Sequence, residues 1–291
     1  MELNGPRRQF LRAAATTMGM APLALAGYGR YIARRDPQVR EVEMYIPDLH
    51  PDLSGCRLAL VSDLHLSAFV SIDEVRRAVE VANEMRPHLT FVNGDLITGP
   101  GDPLDDCIRE LSRLRASDGV YGCMGNHEIV TNSEDYTAQQ CGRVGIRMLR
   151  CQNAAVTIGG AQINVAGIDY QRRGSRYLVG THALIRHDAF NLLLSHNPDV
   201  FPVASRQGWD LTLAGHTHGG QVTLEYLHPA LNPARFYTPF VYGSYGLGKS
   251  RMYVTSGVGT VGVPVRLNTL PEVAVLRLRR AEGRLMQVSQ G

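Results

Sequence analysis

In the stretch AGHTHGGQ, residues 214–221, two imidazoles stand one residue apart among three glycines. On extended backbone, positions i and i+2 share a face, so His216 and His218 can offer two nitrogen donors to one side. Alone, the pair fits a metal site or ordinary surface or core histidines. Four other short runs carry related chemistry: Asp63-Leu64-His65, Gly94-Asp95, Gly125-Asn126-His127-Glu128 and His196. Together they supply carboxylate, imidazole and amide donors without a thiolate. That set suits Mn, Fe or Zn and departs from the cysteine-rich structural zinc sites.

The elements that must position these residues have a regular rhythm. Residues 58–61 form an apolar run ending at Asp63 and His65, and SIDEVRRAVEVANEM follows with helical spacing at Ile72, Val75, Val79 and Ala82. Ser71 and Glu74 fit a capping box. HLTFVNGDL ends at Gly94-Asp95, PLDDCIRELSRLR reads as a second helix with Pro103 in its first turn, and GVYGCMGNHE stops at the Asn126 block. SEDYTAQQCG reads as a further helix, and AAVTIGGAQINVAG as a hairpin turning at Gly159-Gly160. FNLLLSHNPD ends in His196, WDLTLAGHTH ends in the opening pair, and RMYVTSG and VAVLRLRR read as late strands. Strands alternating with helices predict α/β layers, with some antiparallel pairing from the hairpin and the late strands. In five places a hydrophobic strand ends in Asp, Asn or His. Open α/β sheets gather ligands at such carboxyl ends.

The ordered set D-x-H, G-D, G-N-H-E, H and G-H-x-H over residues 58–221 resembles the calcineurin-like metallophosphoesterases. The resemblance implies a mixed β-sheet sandwich flanked by helices and a site for two divalent metal ions. It implies that Asp63, His65 and His218 hold one ion, that Asn126, His196 and His216 hold the other, and that Asp95 bridges them. A hydroxide between the ions would then attack a phosphodiester or pyrophosphate bond. His127 would face the substrate as proton donor or charge stabiliser, or else serve only as a structural hydrogen bonder. Glu128 is expected to orient a neighbour from behind the ligands.

Composition excludes other classes. The 291 residues are 44% hydrophobic and 20% charged, as in an ordinary globular chain. Residues 1–35 hold six arginines against Glu2, a local charge of +5, which leaves 24 basic and 26 acidic residues in the remainder. That body has no basic cluster and no electrostatic footprint for nucleic acid. The five cysteines, Cys56, Cys107, Cys123, Cys141 and Cys151, lack C-x-x-C spacing and read as small buried hydrophobes.

The first 35 residues form a separate unit, and residues 40–291 one metallophosphoesterase-like domain. RRQFLR followed by an uncharged run from Ala13 to Gly29 resembles a twin-arginine export signal. The run is too weakly apolar for a membrane span. A basic amphipathic helix is the competing reading, and the segment can be cleaved near Ala24–Ala26 or kept as an anchor. Export through the twin-arginine machinery predicts a periplasmic protein or one on the outer face of the cytoplasmic membrane; the alternative is a cytoplasmic, membrane-associated one.

The tail YVTSGVGTVGVPVRLNTLPE resembles a bacterial branch of the family that includes membrane-associated phosphodiesterases, twin-arginine-exported cell-wall phosphoesterases and UDP-2,3-diacylglucosamine pyrophosphatases of lipid A synthesis. The export signal weighs against the last. The expected substrate is thus a membrane- or wall-related phosphoester, lipid-linked in one version; a non-catalytic binding module on the same fold is the alternative from another class. Within the tail, Arg266 suits a phosphate contact or an ion pair with Glu272. The aromatic insert between Tyr226 and Tyr245 suits an acyl-binding lip or a lid over the core, with Phe236 and Phe240 acting together. Arg172, Arg173 and Arg176 are candidate substrate contacts, and His50, His88, His182, His187 and His228 fall outside the blocks and read as surface or core residues.

Overall fold

The computed structural model describes residues 36–281 except residue 226, together with Gly27. The export-signal expectation for residues 1–35 lies outside the described residues. Among those described, no helix is long and apolar enough to cross a membrane.

The chain runs β1 (Gln38–Ile46), β2 (Arg57–Val61), α1 (Ile72–Glu84), β3 (Leu89–Asn93), α2 (Leu104–Leu111), β4 (Val120–Cys123), α3 (Asn126–Val130), α4 (Glu134–Arg143), β5 (Ile146–Met148), β6 (Gln152–Ile158), β7 (Ala161–Gly167), β8 (Phe190–Leu194), α5 (Phe201–Gln207), β9 (Leu211–Ala214), β10 (Gly243–Leu247), β11 (Ser250–Val254) and β12 (Glu272–Arg280). Two six-stranded sheets form, ordered β1-β12-β2-β3-β4-β5 and β10-β11-β9-β8-β7-β6. Both are mixed. β2 through β5 run parallel, as do β7, β8, β9 and β11, while β12 is antiparallel to β2 and the β6–β7 hairpin is antiparallel. This is the expected α/β sandwich flanked by helices.

The apolar runs are continuous because their strands are covered on both faces. Leu58 and Leu60 of β2, with Leu89 and Phe91 of β3, meet Leu192, Leu194, Leu211 and Leu213 of the second sheet. On the other side, Val61 and Val92 pack on Val75, Ala78 and Val79 of α1. Each such leucine, fully withdrawn from water, contributes about 1.5–3 kcal/mol. α1 begins at the expected capping box: the Ser71 N–H donates to Glu74 Oε2 at 2.8 Å and the Glu74 N–H to Ser71 Oγ at 3.4 Å.

Some elements differ from the reading of the sequence. β1 occupies what reads as a polar lead-in, because its alternating exposed face hides the pattern and its partner β12 comes from the far end of the chain. Pro103 caps α2 rather than joining its first turn, and that helix stops at Leu111 instead of reaching Arg115. The segment before β8 supplies only a short 3-10 turn, Thr181–Leu184.

Candidate metal centre

Every candidate ligand lies just past the carboxyl end of a parallel strand. The connecting loops stay hydrogen-bonded beyond the strands: the Asp63 N–H donates to Gly94 O at 3.1 Å, that of His65 to Asp95 O at 3.0 Å and that of Gly215 to His196 O at 3.1 Å. Asp63, His65, Asp95, His216 and His218 all adopt left-handed backbone, with φ between 50° and 72°. Each such residue costs on the order of 1–3 kcal/mol and persists only when its surroundings fix it. Two glycines allow the loops to close on the carboxylates: a Cβ on Gly125 would stand 2.1 Å from Asp95 Oδ1, and one on Gly215 would stand 2.3 Å from Asp63 Oδ2.

The side chains converge across the two sheets. Asp63, His65 and His218 form one group with ligand atoms within 4.8 Å of one another, and Asp95, His196 and His216 form another. Asp95 touches both: its Oδ2 lies 3.0 Å from His196 Nε2 and 3.5 Å from His65 Nε2. The first of these is a close ion-pair approach rather than an aligned hydrogen bond. The His65 and His218 Nε2 atoms stand 3.1 Å apart. Asn126 opens α3 with its Oδ1 buried and without a hydrogen-bond partner. The structure therefore brings Asp63, His65, Asp95, His196, His216 and His218 together, and Asn126 sits one position before His127, whose backbone N–H donates to Asp95 Oδ1 at 2.8 Å.

Outer contacts aim the donors. His196 Nδ1 donates to Asn93 O at 2.6 Å, leaving Nε2 turned toward the carboxylates. Glu128 is fully buried and accepts the N–H groups of Asp95, Leu96 and Gly125 at 3.0, 2.8 and 2.7 Å, so it fixes the Asp95 loop as expected of it. His127 Nδ1 meets Thr98 O at 2.5 Å, and its ring stands edge-on to His65 with centroids 4.7 Å apart. His127 also falls within a group with His65 and Asp95 that could take a cation.

Burial and neighbouring charge set the protonation states. Burial lowers the pKa of His65 to about 3 and that of His216 to about 4, and it pushes His218 well down. For His196, burial works the same way, but the Asp95 and Asp63 carboxylates outweigh it and raise the pKa to about 10. Burial raises Asp63, and it also raises Glu128, helped by the Asp95 charge. Three neutral imidazoles and two carboxyl groups thus gather past the strand ends, and the Asn126 amide oxygen is buried with no hydrogen-bond partner among the described residues. That donor set, free of thiolate, fits divalent metal ions.

Several contributors carry no motif. Tyr170 follows β7, another parallel strand end, with its Oη 3.4 Å from His216 Nε2. The strand-end rule applied to β7 points instead to its neighbour Asp169, which pairs with Arg150 at 2.9 Å. Among the described residues Arg266 makes no ion pair with Glu272. It is fully buried and donates to Ser256 O at 2.7 Å, Gly257 O at 3.1 Å and Gly259 O at 2.6 Å, while Glu272 is engaged by Tyr242, Tyr253 and Thr255. The aromatic insert also divides: Phe240 packs edge-on against Phe201 and Tyr245, whereas Phe236 is 72% exposed. Of the five cysteines, four are buried and Cys151 is exposed.

Residues 56–220 match the family model described as calcineurin-like phosphoesterase. A Danio rerio "Transmembrane protein with metallophosphoesterase domain" is 32% identical over 272 residues, which cover 88% of this chain and 61% of that one. The Bacillus subtilis (strain 168) "Uncharacterized metallophosphoesterase YkuE" is 27% identical over 281 residues, covering 94% and 97%. "Phosphodiesterase YaeI" of Escherichia coli (strain K12) is 27% identical over 277 residues, covering 94% and 98%. The chain thus spans about three fifths of the zebrafish relative's length and nearly all of the two bacterial ones. Since the matched span runs from the start of β2 through the His218 loop and takes in every converging donor, the chain belongs to the calcineurin-like phosphoesterase family of metal-dependent phosphoester hydrolases.

Proposed function

We propose that the chain hydrolyses a phosphodiester or pyrophosphate bond at a centre of two divalent ions, on a substrate of membrane or cell-wall origin. The observation that carries this is Asp95, whose Oδ2 stands between His65 on one side and His196 on the other. In this reading Asp63, His65 and His218 hold one ion, Asn126, His196 and His216 hold the other, and Asp95 serves both. When bound, a pair of ions of that kind lowers the pKa of a water between them and neutralises charge on the phosphoryl oxygens.

The chain's own groups do the rest. Glu128 and the His127 N–H keep Asp95 from turning. With its Nδ1–H donated to Thr98 O, His127 would act as the imidazolium, whose second proton, on Nε2, passes to the leaving oxygen and leaves the ring neutral. A diester preference is supported by the name of the Escherichia coli relative, a phosphodiesterase, and a membrane setting by that of the zebrafish relative, a transmembrane protein. Arg7 and Arg8 support export.

The test is turnover of bis-p-nitrophenyl phosphate by purified chain with Mn, beside p-nitrophenyl phosphate and an EDTA control. Metal-dependent cleavage favouring the diester is expected, and faster cleavage of the monoester would overturn the preference. Replacing Arg7 and Arg8 with lysines should retain the chain in the cytoplasm. Unchanged fractionation would remove the export part and leave the chemistry standing.

A further inference from the structure

Beside His216 the surface opens into a recess of about 230 Å3, walled by Tyr170, Arg173, Asn197, Asp199, Tyr237 and Thr238. It is smaller than the roughly 300–1,000 Å3 of pockets that take whole ligands, so it has room for one ring and its substituents. Its walls come from three distant stretches of chain tied to the turn that follows His196. Asn197, which is buried, donates through Nδ2 to Gln171 O at 2.7 Å and accepts the Asp199 N–H at 2.9 Å. Asp199 in turn accepts the Thr238 hydroxyl, which anchors the segment bearing Tyr237. Gln171 Oε1 accepts the Leu178 N–H at 2.9 Å and sets the loop that carries Arg173. The recess is therefore built on the same turn as a metal-facing imidazole.

The chemistry of the walls is mixed and open. Tyr237 is 69% exposed although it lines the recess, and among the described residues Arg173 has no ion-pair partner. Tyr170 and Tyr237 supply two aromatic groups that can pack on a ring at little cost in rotamer entropy. A guanidinium and a carboxylate in the same recess suit a neutral ring with several hydroxyls, since one donates and the other accepts. A second anion would be repelled by Asp199.

We propose, on the reading of the chain as a diesterase, that this recess receives one ester arm of the substrate, and that the arm is a hydroxylated sugar esterified to the phosphate. A glycosyl phosphate and a nucleotide share that chemistry. Tyr237 and Arg173 then set specificity, and the exposure of both means that their truncation leaves the core intact.

The Mn-loaded full chain is given three p-nitrophenyl phosphodiesters that release the same product, with methyl, glucosyl or 5′-uridine second arms. A sugar arm should raise kcat/KM over methyl by about tenfold or more, which corresponds to about 1.4 kcal/mol. That ratio should fall toward one in Tyr237→Ala and Arg173→Ala, and the better of the two sugar arms names the source. A wild-type ratio near one, or a ratio unchanged in both variants, overturns the proposal. Saturation-transfer NMR with methyl glucoside and uridine reads the recess without turnover. Should no ester be cleaved, the diesterase reading fails; sugar binding lost in Tyr237→Ala then still supports the recess, and absence of binding to wild type overturns it.

Discussion

Arg266 sets its Nη2 3.4 Å from His218 Nδ1, and the same nitrogen and Nε donate to the Ser256 and Gly259 carbonyls. Burial lowers its pKa to about 10, yet no carboxylate touches it. The carbonyls belong to the loop whose Val258 and Gly259 N–H groups donate to Ser62 O and Asp63 O. One buried cation therefore ties down the backbone under Asp63 and lies beside the His218 ring. Arg266→Met should cost about 3 kcal/mol or more, because it leaves several buried carbonyls unpaired. Arg266→Lys should recover only part, since an ammonium cannot reproduce the planar fan of donors. Urea titration with metal analysis checks this. Wild-type stability in both variants would show that the guanidinium is not the brace.

His127→Ala should retain two ions per chain and lose roughly 10² to 10⁴ in turnover, the worth of a positioned acid. The geometry makes the experiment decisive, because His127 also groups with His65 and Asp95 closely enough to bind a cation. Loss of one ion from the variant, measured by elemental analysis, would make His127 a ligand and remove it as the proton donor.

Asp95→Asn should behave differently. The amide keeps an oxygen to accept the His127 N–H but loses the charge that faces both histidine groups. The fold is expected to persist while bound metal falls below one ion per chain and diester cleavage disappears. Two ions retained at wild-type affinity would sink the shared-ligand assignment.

How far the site was legible in the sequence depends on how local each cause is. Asp63, His65, Asp95, His196, His216 and His218 are found from strand ends because a hydrophobic run and the loop after it are contiguous. Their left-handed backbone is also foreshadowed by type, since Asp and His tolerate that region better than branched residues. β1, in contrast, is recognised only through its pairing with β12, and Arg266 only through a loop that folds back on Asp63. Tyr170 has no motif at all. The insert shows the same limit: prolines and glycines announce irregular backbone, but nothing local says that Phe240 turns inward and Phe236 outward.

That division gives opposite outcomes for two phenylalanines. Phe240 meets Phe201 at 5.8 Å and Tyr245 at 5.2 Å between ring centroids, so Phe240→Ala should cost about 2 kcal/mol, part of the 3–5 typical of a fully buried ring. Phe236→Ala should change stability by no more than about 0.5 kcal/mol. If a lipid-linked arm rests on the insert, Phe236→Ala raises KM for that substrate alone. Equal losses of thermal stability in the two variants would contradict the inward and outward placement.

Metal binding should release a proton. In the metal-free chain, His196 carries one through neutral pH because Asp95 and Asp63 raise its pKa to about 10, whereas His65 and His216, lowered to about 3 and 4, are already neutral. A raised base competes with the metal below its pKa. Affinity on the His196 side should therefore fall about tenfold for each unit the pH drops from about 9 to 6. The side formed with His65 and His218 should vary less over that window, because its imidazoles hold no proton to displace. Toward acid, the raised carboxyl of Asp63 adds a second competing proton and steepens the slope. Calorimetric titration with Mn in buffers of different ionisation enthalpy counts the protons directly. About one released at pH 7.5 is expected. A count of zero would mean that His196 is neutral before metal arrives, and that the carboxylates beside it do not hold its charge.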